Sequence, residues 1–117
     1  MTITHVLAVV PVAEFDTARE WYERLLGRPA DNRPMEGLAE WRVTETGWLQ
    51  VSVDARRAGT ASVNFAVDDL DKHVADVRQR GLSPDDIVEV SNNVRLAEIR
   101  DPEGNTITFI GSFRVSY

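Results

Sequence analysis

The sequence contains no cysteine, and this absence excludes several kinds of chemistry. Without thiols the chain cannot form disulfides, use a thiolate nucleophile or bind a metal through sulfur. The remaining composition is that of an ordinary globular protein, with 43% hydrophobic and 27% charged residues. A chain of 117 residues is long enough for one domain with a modest core.

Basic charge and long apolar segments are also scarce. Thirteen Lys and Arg residues stand against nineteen Asp and Glu residues, which gives a formal net charge of −6. An acidic chain is poorly suited to phosphate backbones, so we expect no nucleic-acid partner. No apolar run approaches the ~20 residues that span a bilayer, and the N-terminal segment lacks the pattern of a signal peptide. These features predict a cytoplasmic protein without a membrane partner.

What the sequence does contain is a repeat of one strand, one helix and further strands. The strand "HVLAVV" begins at His5, and its counterpart "SVNFAV" begins at Ser62. Each leads into an amphipathic helical segment, and each helix is followed by a predicted hairpin. Because one such unit is too small to bury its own sheet, the two units should pack together. We predict a module over about 1–57 and a second over about 58–117, within a single domain.

Local signals place the ends of the two helices. Thr17 and Glu20 have the spacing of a capping box in the first helix, and Gly27 is suited to end it. Asp69 is the expected cap of the second helix, and Gly81 the expected stop. The segment 28–37 contains two prolines and an asparagine and is predicted to be a loop.

Strand alternation assigns side chains to the two faces of the sheet. If "TETG" (44–47) is a four-residue hairpin loop, Trp41 pairs with Gln50 and Val43 pairs with Trp48. If "DPEGN" (101–105) is a five-residue loop, Glu98 pairs with Thr108. The inner face would then carry ten residues: His5, Trp41, Trp48, Gln50, Ser52, Ser62, Asn64, Leu96, Glu98 and Thr108. A register shift of one residue in either hairpin would move every side chain of the shifted strand to the opposite face of the sheet.

Three segments together resemble the vicinal-oxygen-chelate superfamily, which includes glyoxalase I, extradiol dioxygenases and bleomycin-resistance proteins. They are "HVLAVV" with "FDTAREWYERLLG", then "FAVDDLDKHVADVRQRG", and finally "RDPEGNTITF". The resemblance covers nearly the whole chain. It implies an α+β fold in which two tandem βαβββ modules form a cupped, mostly antiparallel sheet with helices on the outer face. It also implies a homodimer.

Metal-using members of this superfamily carry four ligands on the cup, and the resemblance places these at His5, Gln50, Ser62 and Thr108. His5 and Gln50 suit the family pattern, whereas Ser62 and Thr108 stand where His and Glu would be expected. Neutral hydroxyls are poor donors for a divalent transition ion. We therefore expect no metal cofactor, with a divalent metal as the alternative.

Several of these residues have more than one possible role. His5 could be a metal ligand, a general base or a cavity residue, and Glu98 could carry a proton, anchor an amine or replace a lost ligand. Trp41 and Trp48 could pack in the core or offer flat surfaces to an aromatic or cationic ligand. His73, on the second helix, is predicted to be solvated.

Our principal hypothesis is a metal-independent protein that binds a small apolar or planar ligand. The predicted ligand-binding residues are His5, Trp41, Trp48, Gln50, Ser62, Asn64, Leu96, Glu98 and Thr108. One alternative is a metal-dependent lyase, isomerase or dioxygenase. Another is a metal-free enzyme that uses His5 and Glu98 as its acid and base. Catalysis is the less favoured outcome because of Ser62 and Thr108.

Overall fold

The computed structural model describes residues 2–116, which form two copies of a β-α-β-β-β unit. The first module contains β1 (Val6–Val12), α1 (Phe15–Leu26), β2 (Asn32–Met35), β3 (Leu38–Arg42) and β4 (Gly47–Val53). The second contains β5 (Ser62–Val67), α2 (Leu70–Gln79), β6 (Val88–Glu89), β7 (Arg95–Arg100) and β8 (Thr106–Gly111). The predicted α+β fold of two tandem modules is confirmed. The predicted boundary near residue 57 falls between β4 and β5 and stays a prediction.

Each module forms a four-stranded sheet, and the two sheets have the same strand order. The first is ordered β1-β4-β3-β2 and the second β5-β8-β7-β6. In each sheet the first strand runs parallel to the last, while the other neighbours are antiparallel. β1 and β5 are therefore edge strands. In the part of the chain that the structure describes, no helix is both long and apolar enough to cross a membrane.

Each helix covers one face of its sheet with an apolar stripe. Ala18, Tyr22 and Leu25 are the buried residues of α1, and α2 buries Leu70, Val74 and Val77. The spacing of three and four residues places each set on one side of its helix. Together with inward residues of the strands they form one apolar core shared by both modules.

The predicted capping box of α1 is wrong. The helix begins at Phe15 with Glu14 as its N-cap, so Thr17 already lies inside the first turn. The end of the helix was predicted correctly, because Gly27 adopts a left-handed conformation with φ of +77° and its N–H bonds to Glu23 O. In α2 the Asp69 side chain accepts a hydrogen bond from Lys72 N at 3.1 Å, as a cap should.

The first hairpin differs from its predicted register by one residue. Trp41 lies opposite Leu49 and Arg42 opposite Trp48, and the backbone N–H of Val43 bonds to Gly47 O, so Val43 is aligned with Gly47 and not with Trp48. This shift turns Trp41 to the helix side, where it is fully buried and donates from Nε1 to Arg28 O at 2.9 Å. The prediction that Trp41 lies on the inner face is therefore wrong.

The second hairpin has the predicted register. Glu98 lies opposite Thr108, and Ile107 and Phe109 are buried on the helix side. The segment 28–37 was predicted to be loop, but part of it forms β2. Pro34 is tolerated there because β2 is an edge strand with irregular pairing to β3.

The turn "DPEGN" (101–105), called the DPEGN turn below, fastens the second module to the first. Tyr22 OH donates to Asp101 Oδ2 at 2.8 Å. The fully buried Asn105 donates to Pro11 O at 2.9 Å and accepts from Ala61 N at 2.9 Å. The bonds at Tyr22 and Pro11 cross from one module to the other, and they fix the modules relative to each other because buried polar groups are costly when unpaired.

The same turn also supplies the cap that α1 lacks. Both carboxylate oxygens of Glu103 accept from Ala13 N, at 2.6 and 2.8 Å, and Oε2 accepts from Glu14 N at 2.8 Å. A carboxylate at this position also opposes the positive end of the helix dipole.

Candidate functional site

The face of each sheet that points away from the helices is called the open face here. Strand pairing assigns its residues, because directly opposed residues share a face. On the first sheet the open face carries Leu7, Val9, Leu38, Glu40, Trp48, Gln50 and Ser52. On the second it carries Ser62, Asn64, Leu96, Glu98 and Thr108. All of these are partly or well exposed within the single chain.

His5 and Gln50 lie too far apart to hold one ion. Gln50 lies opposite Val9, and His5 precedes Val9 by four residues, which is roughly 13 Å along a strand. His5 is exposed, and its Nδ1 lies 3.0 Å from Thr4 Oγ1. The structure therefore does not bring these two predicted residues together.

The pairing in the second sheet shows which residue of β1 takes the place assigned to His5. Ser62 lies two residues before Asn64, the residue opposite Thr108. In the first sheet the residue opposite Gln50 is Val9, and the residue two positions before Val9 is Leu7. By strand register, the position that the family resemblance assigned to His5 is thus occupied by Leu7, a side chain with no donor atom. This corrects the assignment made from sequence, which placed it two residues early.

Gln50 is held by an acid that the sequence analysis missed. Gln50 Nε2 donates to Glu40 Oε2 at 2.8 Å, and Asn32 Nδ2 donates to Glu40 Oε1 at 3.1 Å. Glu40 was overlooked because the predicted hairpin register put it on the helix side. A five-residue loop, such as the one predicted correctly for the DPEGN turn, would have placed it beside Gln50.

Glu98 lies on the open face, as predicted, and is partly buried. Arg100 Nη2 lies 3.5 Å from Glu98 Oε2, so a basic group already accompanies this acid. Among the hydrogen bonds and ion pairs found within residues 2–116, none joins Glu98 to His5. The structure thus does not assemble the acid–base pair proposed from sequence.

A cleft of about 510 Å³ lies where the edge strands β1 and β5 face each other. Most of its wall is apolar, from Val6 and Ala8 on one side and Val63, Phe65 and Val67 on the other. Two of the predicted ligand-binding residues, Trp48 and Asn64, also line it. Its volume falls within the range of small-molecule sites.

The polar groups at this cleft carry little free charge. Arg28 lines it, but both oxygens of Asp31 accept from Arg28 Nη1, at 2.8 and 2.7 Å. This contact lowers the pKa of the Asp31 carboxyl, with a further contribution from the backbone N–H of Arg42. The positive charge of Arg28 is therefore paired with the carboxylate of Asp31.

His73 also lines the cleft, and it is not solvated as predicted. It is half-buried, its ring centroid lies 4.3 Å from that of Phe109, and its Nε2 is buried without a hydrogen-bond partner. Burial lowers the pKa of His73, and the nearby Arg80 adds to this effect. The neutral imidazole is thus favoured, and it contributes an aromatic surface rather than a charge.

Structural comparison finds close relatives, although no protein-family model and no curated protein matches the sequence. A glyoxalase/bleomycin resistance protein from Catenulispora acidiphila DSM 44928 is 30% identical, with a TM-score of 0.88 over 95% of this chain and 100% of that one. An antibiotic-binding protein from Streptomyces sp. CB03234 is 24% identical, with a TM-score of 0.78 over 95% and 98% of the two chains.

A bleomycin-binding protein, solved in complex with bleomycin, shares the fold at 18% identity, with a TM-score of 0.76 over 97% of this chain and 100% of that one. The identity to the Catenulispora protein extends over nearly the full length of this chain and the whole of that one. The chain therefore belongs to the glyoxalase/bleomycin resistance protein family, within the vicinal-oxygen-chelate superfamily.

Proposed function

We propose that this protein binds a small, apolar and partly planar molecule without the help of a metal ion. The observation that carries the proposal is the cleft of about 510 Å³ between β1 and β5, with its largely apolar wall and Trp48 at its edge. Burial of apolar surface would supply most of the affinity, and an indole ring would favour a flat partner.

The donor set on the open faces supports metal independence. Leu7 offers no donor, and the Gln50 amide already donates to Glu40. Ser62 and Thr108 offer neutral hydroxyls, which bind divalent transition ions weakly. Within residues 2–116, no cluster of three or more His, Asp or Glu side chains is placed to hold an ion. These residues do not fit a divalent-metal cofactor.

The relatives support a binding role. The Streptomyces relative is an antibiotic-binding protein, and another relative was solved with bleomycin bound. For the present chain, sequestration of a planar drug and binding of a metabolite of similar shape would both use the same cleft.

Fluorescence titration tests the proposal. A panel of planar compounds is titrated into the protein, and quenching of tryptophan emission is followed. We expect at least one compound to quench, and Trp48→Ala to weaken its binding by about tenfold, the equivalent of roughly 1.4 kcal/mol. Trp21→Phe is the matched control, because Trp21 lies on α1 outside the cleft lining.

Two results would overturn this proposal. One is a panel in which no compound binds, and the other is an affinity that Trp48→Ala leaves unchanged. Metal analysis of protein purified without chelator separates the proposal from the metal-dependent lyase, isomerase or dioxygenase. One transition ion per chain would favour the enzyme.

A further inference from the structure

We propose that the ligand is an organic cation and that Glu40 is the residue that recognises its charge. This inference rests on the proposed function, and it places the charged end of the ligand on the open face of the first sheet, which shares Trp48 with the lining of the cleft. Glu40 lies at the centre of that face, opposite Gln50 and two residues along β3 from Arg42.

The Glu40 carboxylate is oriented by hydrogen bonds. Each oxygen accepts from one amide, Oε2 from Gln50 at 2.8 Å and Oε1 from Asn32 at 3.1 Å. These donors come from β4 and β2, on either side of β3. The carboxylate is thereby held on the sheet surface instead of swinging freely in solvent, and each oxygen keeps capacity for a further donor.

No basic group of the described residues neutralises this carboxylate. Among the ion pairs within residues 2–116, none includes Glu40. Arg42 shares its face, but its guanidinium donates to Glu45 O from Nε at 3.0 Å and from Nη2 at 2.7 Å. A partly buried, uncompensated carboxylate is complementary to a positively charged partner with N–H donors.

The surroundings indicate the rest of the ligand. Trp48 lies two residues from Gln50 on β4, which is roughly 7 Å along the strand, and on the same face as Glu40. An indole can stack on an aromatic body or contact the cation itself. An arylalkyl ammonium ion fits both the carboxylate of Glu40 and the indole of Trp48.

A matched pair of probes tests this inference. The protein is titrated with 2-naphthylmethylamine, which is protonated at pH 7, and with the neutral 2-naphthylmethanol, by isothermal calorimetry. We expect the amine to bind more tightly, and Glu40→Gln to weaken its binding by about tenfold while changing that of the alcohol by less than about twofold.

Glu45→Gln is the control variant, since Glu45 lies in the β3–β4 turn and the substitution removes the same charge from the same hairpin. A urea melt of each variant verifies folding. Equal binding of the two probes, with no effect of Glu40→Gln, would overturn the cation assignment and leave the proposed function standing. If neither probe nor any planar compound binds, both fail.

Discussion

At the scale of the residue, Asn105 is a buried polar side chain that links the two modules. Its side chain bonds to Pro11 O of the first module, to Ala61 N before β5 and to Asp101 Oδ2 within its own turn. The bonds to Pro11 O and Asp101 Oδ2 are buried and the bond from Ala61 N is partly buried, so deletion of the amide leaves at least two partners without compensation by water.

We therefore expect Asn105→Ala to lower the free energy of unfolding by about 3 kcal/mol, the sum of lost bonds and newly unpaired groups. Urea denaturation measures the change. Asn64→Ala, an exposed amide on β5, is the control and should stay within about 0.5 kcal/mol of the parent protein. A similar decrease in the free energy of unfolding in both variants would show that the bonds of Asn105 do not stabilise the fold more than an exposed amide does.

His73 gives a residue-scale prediction on pH. Burial lowers the pKa of His73 below the ordinary value of 6.5. As the pH falls, the imidazole is therefore protonated in the unfolded chain before it is protonated in the folded protein. The contribution of neutral His73 to the free energy of unfolding should be complete when the pH is above that value, and it should decrease as the pH drops below it. Carboxylates with lowered pKa, such as Asp71 and Asp76, lose their contribution only in more acidic solution.

Urea melts at roughly pH 7.5 and pH 5.5 check this expectation. In His73→Gln the loss of stability between the two pH values should be smaller than in the parent protein. An identical loss in both proteins would contradict the assigned burial effect.

The sequence predicts individual positions well wherever strand alternation is anchored by a recognisable turn. The DPEGN turn fixed the register of its hairpin, and Glu98 and Thr108 were placed correctly. The loop at 44–47 has no such signal, and a difference of one residue exchanged Trp41 for Glu40 on the open face. Side-chain period is two in a strand, so this single step inverts every assignment on β3.

At the scale of the element, α1 receives its N-terminal cap from the other module. Glu103 accepts from Ala13 N and Glu14 N, while the α1 sequence itself provides no side-chain cap. Capping from a distant turn cannot be seen in a local sequence window, which explains why Thr17 and Glu20 were misassigned. The strand β2 escaped prediction for a related reason, since its pairing to β3 overrides the turn propensity of its proline and asparagine.

We expect Glu103→Gln to destabilise the protein by about 1 kcal/mol, because the amide keeps at most one acceptor and loses the favourable charge at the helix start. Hydrogen exchange should show the loss of protection concentrated at Ala13, Glu14 and the first turn of α1. Unchanged exchange at these amides would contradict the capping role.

At the scale of the whole molecule, the open face of the first sheet leaves apolar side chains exposed to solvent. Leu7 and Val9 are 46% and 51% exposed, and they lie side by side on β1 next to the cleft. Apolar side chains grouped in this way commonly mark an interface. We propose that a second copy of the chain covers them in a homodimer.

Light scattering coupled to size exclusion measures this directly. We expect a mass of twice the 13.1 kDa of one chain, and dissociation in the double variant Leu7→Lys with Val9→Lys. Met35→Lys, an exposed apolar residue on β2, should leave the mass unchanged. A parent protein that elutes as a monomer at micromolar concentration would rule out the dimer.

The central claim is that the cleft beside Trp48 binds its ligand without a metal. Its most direct test is a titration with 2-naphthylmethylamine before and after exhaustive treatment with a chelator. The account predicts the same dissociation constant in both preparations. Binding that disappears on chelation and returns with added zinc, manganese or iron would contradict it.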